Sequence, residues 1–244
     1  MGMPVTVYIV DGSSTQRDID AVFNYFTYID EKFSTYKDTS EITNINKGLL
    51  SPEEWSMDMK TVFDLSKKTK EETFGYFDIL NNHQHYDPSG LVKGWAIRNA
   101  ANLLRNAGFK NFYIEAGGDI QVEGNSDKGS AWKVGIKNPF KVSEIIKVIY
   151  LKKNEGIATS GSYERGDHIY NPKNNKQRLV DIVSLTVIGR DVYEADRFAT
   201  AAFAMQKEGI QFIETMSGLE GYTIDSKGTA TMTSGFKEYT RPIA

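Results

Sequence analysis

The sequence predicts an α+β fold: a single domain over residues 1–244, with a mainly antiparallel central sheet flanked by helices. Three observations carry this. Helical patterns cluster near the two ends of the chain and strand patterns fill its middle. The regular strand–helix alternation of a doubly wound parallel sheet is missing. No internal repeat, low-complexity stretch or linker divides the 244 residues.

The elements follow in order. Residues 4–10 alternate and are β-branched, which reads as a strand. Residues 13–33 carry an apolar stripe of Val22, Phe23, Tyr25, Phe26 and Ile29 at helical spacing. Ser51-Pro52-Glu53-Glu54 has a cap, a proline at the first position and a capping-box acid, so a helix is expected from there to about residue 70. Residues 91–107 share an apolar face through Leu91, Trp95, Ala100 and Leu104, and Gly108 stops the helix. Strands are expected at 111–115 and 120–123 around the turn Gly117-Gly118-Asp119, then at 132–137, 145–151, 157–160 and 184–188. Helices fit 193–206 and 209–216, and residues 222–239 read as a hairpin around Ser226-Lys227-Gly228.

Composition narrows the function. With 40% apolar and 12% aromatic residues, the chain can bury a sizeable core. A formal charge of −3 is the wrong sign for a nucleic-acid surface, so no nucleic-acid partner is expected. A nucleotide ligand remains compatible, because a metal ion can supply local positive charge. Without cysteine there is no disulfide or thiolate chemistry. No apolar run approaches the roughly 18 residues of a membrane span. Read as given, the chain is expected in the cytoplasm, although a cleaved leader or lipid anchor would leave no trace in it.

Several groups could do chemistry. In Ala195-Asp196-Arg197-Phe198-Ala199-Thr200, helical spacing puts Asp196 and Thr200 on one face, where a carboxylate and a hydroxyl can share a hard cation. An arbitrary Asp-x-x-x-Thr is more often an exposed acid and a surface threonine. Asp87-Pro88-Ser89-Gly90-Leu91-Val92-Lys93-Gly94 offers helix-start amides and a lysine to an anion, or else simple capping with Lys93 solvated. Thr159, Ser160 and Gly161 form either a loop or a phosphate cradle, and His168 is an acid–base candidate or a structural histidine. His83 and His85 lack a third ligand and read as surface residues.

The order of these motifs is more specific than any one of them. Phe33-Ser34-Thr35-Tyr36 with Ser40-Glu41-Ile42 and Asn46 comes first, then Gly75-Tyr76-Phe77-Asp78-Ile79 and the stretch DPSGLVKGWA at 87–96. Ala116-Gly117-Gly118-Asp119-Ile120, Trp132-Lys133-Val134-Gly135-Ile136 and Ile157-Ala158-Thr159-Ser160-Gly161 follow. His168-Ile169-Tyr170-Asn171-Pro172 and the 195–200 segment complete eight ordered matches. Across nearly its whole length the chain resembles the ApbE family of FAD:protein FMN transferases.

The resemblance implies a T-fold-related α+β architecture and a role for each matched position. Asp196, Thr200 and the carbonyl of Gly90 correspond to ligands of Mg2+. Tyr36 and Met1 correspond to flavin contacts, Asp87 to an adenine contact, and Lys93, Phe77, Asp78, Ile79 and Ile169 to further FAD contacts. Gly117, Gly118 and Asp119 shape the pocket, Thr159 to Gly161 can hold pyrophosphate oxygens, and His168 matches the family's active-site histidine. The implied reaction is Mg2+-dependent transfer of FMN from FAD to a Ser/Thr hydroxyl in a motif of an acceptor protein, with AMP leaving and with His168 or Asp196 taking the proton. Hydrolysis of FAD to FMN and AMP, and FAD binding without turnover, are the alternatives. The chain departs from the family pattern in a short segment between Asp78 and Asp87, in Arg98 where the family has an acid, and in Met3 where threonine is common.

Overall fold

The computed structural model describes residues 2–81, 83–161, 170–174 and 179–241. A seven-stranded sheet runs in the order β1-β2-β3-β6-β7-β8-β9, formed by Val5–Ile9, Phe112–Ala116, Asp119–Glu123, Gly156–Gly161, Ile182–Gly189, Glu220–Asp225 and Ala230–Met232. Every pairing in it is antiparallel. A separate antiparallel ribbon joins β4 (Trp132–Asn138) to β5 (Lys141–Leu151). The helices are α1 (Gln16–Phe33), α2 (Glu41–Asn46), α3 (Met57–Glu72), α4 (Ser89–Asn106), α5 (Val192–Met205) and α6 (Lys207–Thr215). The α+β, mainly antiparallel expectation holds.

Side-chain alternation along the strands builds two apolar layers. On one face, Phe112 and Ile114 pack with α1 and α4, while Leu185 and Val187 pack with α5 and α6. On the other, Val122, Ile157, Ile188 and Tyr222 meet Trp132, Ile149 and Leu151 of the ribbon. Helix α5 is buried nearly all round, as an element held between neighbours must be.

Two expectations need correction. The 51–70 helix is interrupted: the Ser51 N–H and hydroxyl both go to the Glu54 carboxylate, closing only a 3-10 turn at Pro52–Glu54. Trp55 is then extended, and Ser56 caps afresh by accepting from Met59 N, so α3 begins at Met57. The C-terminal hairpin is shorter on its second strand than expected. After Met232 the chain turns into a 3-10 helix, Phe236–Thr240, whose Phe236 stacks on Tyr222 at 5.3 Å. Helix α2 was not anticipated at all. At 6 residues it is too short for apolar periodicity, and its signal is the Ser40 hydroxyl accepting from Thr43 N.

The start of β6 fixes the position of α5. A Cβ on Gly156 would lie 2.0 Å from Val192 N and 2.4 Å from its Cα, so strand and helix touch through backbone. Gly156→Ala is therefore expected to cost about 1–3 kcal/mol, the scale of overpacking a filled interior. Urea unfolding checks this, and an unchanged midpoint would contradict the contact.

Candidate functional site

Helices α4 and α5 cross at two glycines. A Cβ on Gly94 would meet Asp196 Cβ at 2.6 Å and the Val192 carbonyl at 2.7 Å; one on Gly90 would meet Thr200 Cγ2 at 2.9 Å and the Phe77 ring at 3.3 Å. Residues bearing any Cβ would force the helices apart. Because the backbones approach, Gly94 N donates to Asp196 Oδ2 at 2.7 Å, and Thr200 Oγ1 donates to the Gly90 carbonyl at 3.2 Å. Asp196 is 3% exposed, so it is not the surface acid that an arbitrary Asp-x-x-x-Thr would hold.

Two further groups close on Asp196. Lys93, one position before Gly94, lies with Nζ 2.7 Å from Asp119 Oδ2 and 3.7 Å from Asp196 Oδ1, and its side chain is largely buried rather than solvated. Asp119 reaches this place because Gly117 and Gly118, at φ 57° and 89°, form a hairpin turn between β2 and β3 that needs positive φ at both positions. Its Oδ1 accepts from Thr159 N at 3.1 Å. Burial pushes the Asp196 carboxyl up to about 7, with the Lys93 ammonium pulling the other way and the Asp119 carboxylate adding to the rise. Burial likewise raises Asp119 against the pull of Lys93.

The remaining expected residues are spread over several elements. An open cleft runs between the Gly117-Gly118 turn, Thr159 and residues 134–137 of β4. Thr159, Ser160 and Gly161 are strand rather than loop: they pair with Thr186, Leu185 and Ser184 of β7. Phe77 packs against Gly90, whereas Asp78 is engaged by Lys70 Nζ at 2.6 Å and by Leu80 N. Asp87 Oδ1 accepts from Ser89 N, and Asp87 N donates to the Ile79 carbonyl at 2.7 Å. Tyr36 is 98% exposed on the loop after α1. His83 and His85 are exposed, as expected. Arg98, in place of the family's acid, stacks over the Tyr193 ring at 4.2 Å. Met1, His168 and Ile169 lie outside the described residues.

Among the described residues no three acid, histidine or cysteine side chains converge. Any cation at the α4–α5 crossing would have a mixed hard-oxygen set: the Asp196 carboxylate, the Thr200 hydroxyl and the Gly90 carbonyl. These fit Mg2+.

Some supporting residues escaped the sequence reading. Buried Gln121 accepts from Val192 N and donates to the carbonyls of Asn154 and Glu155, tying β3 to the start of α5. Nothing in its local sequence signals this. Asp191, accepting from Glu194 N, was legible as an Asp-x-x-Glu helix start. Arg197 is buried between Glu72 and Glu194 and lies over the Phe198 ring at 4.0 Å, fixing α5 to α3.

Comparison with known proteins bears on the family and on the fold. The family model described as the ApbE family matches residues 1–84 and 79–223. A FAD:protein FMN transferase of Vibrio cholerae (strain O395) is 29% identical over 163 residues, 64% of this chain and 47% of the relative. Its counterpart in Escherichia coli (strain K12) is 26% identical over 173 residues, 64% of this chain and 49% of the relative. The chain thus spans about half the length of these curated relatives. The ApbE protein of Thermotoga maritima superposes with a TM-score of 0.85 at 22% identity, covering 98% of this chain and 96% of that one. The flavin transferase ApbE of Vibrio cholerae gives 0.83 at 20% identity, with the same coverages. At these identities the superpositions speak for the fold.

A raised carboxyl has a signed consequence. Folded Asp196 holds its proton up to about pH 7, whereas the unfolded chain releases it near 4, so stability falls as pH rises across that interval. Asp196→Asn lacks this loss and still offers an oxygen to Gly94 N. Thermal unfolding from pH 4 to 8 is expected to show the variant gaining on the natural protein as pH rises; parallel curves would contradict the buried carboxyl.

Proposed function

Starting from the fact that the chain belongs to the ApbE family, we propose that it transfers the FMN half of FAD to a Ser/Thr hydroxyl in a motif of an acceptor protein, with AMP leaving. One observation carries the reading: the Gly90 carbonyl, the Thr200 hydroxyl and the buried Asp196 carboxylate meet at the α4–α5 crossing, with Lys93 beside them. These are the places the family resemblance assigns to Mg2+ and FAD.

Asp196, Thr200 and Gly90 would hold the divalent cation. When bound, it supplies positive charge to pyrophosphate oxygens and to the AMP that leaves. The chain's own groups do the rest. The Lys93 ammonium adds a second positive charge beside the phosphates, and the N–H groups at the start of α4 favour anions. Phe77 and Ile79, both buried, and the Gly117-Gly118 turn border the space for the dinucleotide, and the family resemblance gives the flavin contacts to Tyr36 and Met1 and the adenine contact to Asp87. The acceptor oxygen forms a bond to the FMN phosphorus, the bond from that phosphorus to the AMP oxygen breaks, and the hydroxyl proton passes to His168 or Asp196. Holding the two reactants in line and water away accounts for most of the acceleration.

Incubation with FAD, Mg2+ and an acceptor protein is expected to add one FMN to the acceptor by mass spectrometry and to release AMP. FMN and AMP without acceptor labelling would make the protein a pyrophosphatase; bound FAD with no AMP would make it a binding module. Asp196→Ala is expected to lower the rate by at least about 100-fold, as does loss of one group that stabilises transition-state charge. Near-normal transfer by that variant would overturn the site.

His168→Ala separates the two proton acceptors. Loss of transfer with FAD binding retained assigns the proton to His168, and an unchanged rate and pH profile assign it to Asp196.

A further inference from the structure

We propose that Asp119 is a positioning residue whose carboxylate holds the Lys93 ammonium off Asp196, leaving Asp196 open to a divalent cation. The proposal rests on the reading of Asp196 as a metal ligand. It concerns a group outside the three that the reading assigns to the metal.

The geometry supports this division of labour. Lys93 faces two buried carboxylates but is not shared equally: Nζ stands 2.7 Å from Asp119 Oδ2 and 3.7 Å from Asp196 Oδ1. The first is a close ion pair, and the second exceeds hydrogen-bonding distance. A lysine carries a point charge on a flexible stem, so a movement of about 1 Å would seat it on Asp196 instead. There it would serve as a built-in counter-ion in the place the metal needs.

Asp119 is itself held against such a shift. It is 1% exposed, its backbone is paired across the hairpin to Ala116, and the Gly117-Gly118 turn sets its direction. Oδ1 is fixed by Thr159 N, which leaves Oδ2 aimed at Lys93. The rigid partner therefore decides where the flexible one rests. Among the described residues, two acids and one amine also keep a formal negative charge when all three are ionised, which suits a cation. Removing the Asp119 charge would reverse both conditions at once.

Mn2+ serves as the probe, with binding to the purified full chain followed by electron paramagnetic resonance without FAD. The natural protein is expected to bind one Mn2+ and Asp196→Ala none; failure of either result sinks the metal reading itself. Given those results, Asp119→Asn is expected to weaken Mn2+ binding about 10- to 100-fold, the usual scale for residues that orient metal ligands. Asp119→Asn with Lys93→Met is expected to restore affinity to within about threefold, because the competing ammonium is gone. A double variant as weak as Asp119→Asn would make Asp119 a ligand or a purely structural residue and overturn the proposal. Should the single variant fail to fold, the double variant alone decides between these outcomes. A crystal structure of Asp119→Asn is expected to place Lys93 Nζ at hydrogen-bonding distance from Asp196, and an unmoved lysine would equally overturn the idea.

Discussion

Everything at the candidate site depends on how closely α4 approaches α5. The two helices meet where Gly94 has no side chain, and the 2.6 Å that a Cβ would leave to Asp196 shows how little room remains. That contact does three things. It removes Asp196 from water, it gives the carboxylate a backbone N–H from another helix, and it brings a carbonyl of α4 onto a hydroxyl of α5. None of these arises within one helix, since each joins a group of α4 to a group of α5. Gly90 sits in the first turn of α4, where the Ser89 N–H goes to the Asp87 carboxylate and those of Leu91 and Val92 go to the Pro88 carbonyl.

The same contact makes the site costly to fold. Two buried carboxylates near one ammonium are a poor arrangement for stability, since burial penalises each charge and, among the described residues, only Lys93 pairs with them. The molecule offsets this around the site. Gln121, the Gly156 backbone contact and the Asp191 cap fix the first turn of α5. Arg197 anchors the next turn to α3 through Glu72. The motif Ala195-Asp196-Arg197-Phe198-Ala199-Thr200 thus divides by direction. Asp196 and Thr200 face α4 and the site, while Ala195, Phe198 and Ala199 face the α5–β7 core.

How much of this was legible follows from the range of each signal. Strands β1 to β3 and helices α4 to α6 could be read within a residue or two, because apolar spacing, glycine stops and turn glycines are local. The α3 start was misread because Ser51 and Ser56 are both good caps, and only tertiary contacts choose between them: Glu41 accepts from Ser56 N at 2.7 Å. At the site, Asp196, Thr200, Gly90 and Lys93 were named from motif order, yet the pairing of Lys93 with Asp119 was not. Those two are 26 positions apart, 119 minus 93, on different elements, and no periodicity links a helix to a hairpin turn. Gln121 was invisible for the same reason.

The short segment between Asp78 and Asp87 shows why a departure in length need not disturb the site. Its base is closed: Asp87 N donates to the Ile79 carbonyl at 2.7 Å, and Leu80 bridges Tyr86 as an antiparallel pair. Asn81 Oδ1 accepts from the N–H groups of His83 and His85, turning the chain at once. From outside, the Tyr170 hydroxyl meets the carbonyls of Asp78 and Leu80 at 3.3 and 3.4 Å. A loop whose ends are fixed together can change length at small cost, because closure entropy grows only logarithmically. Residues 77–79 and 87–90 therefore hold their relation whether the chain between them is short, as here, or long.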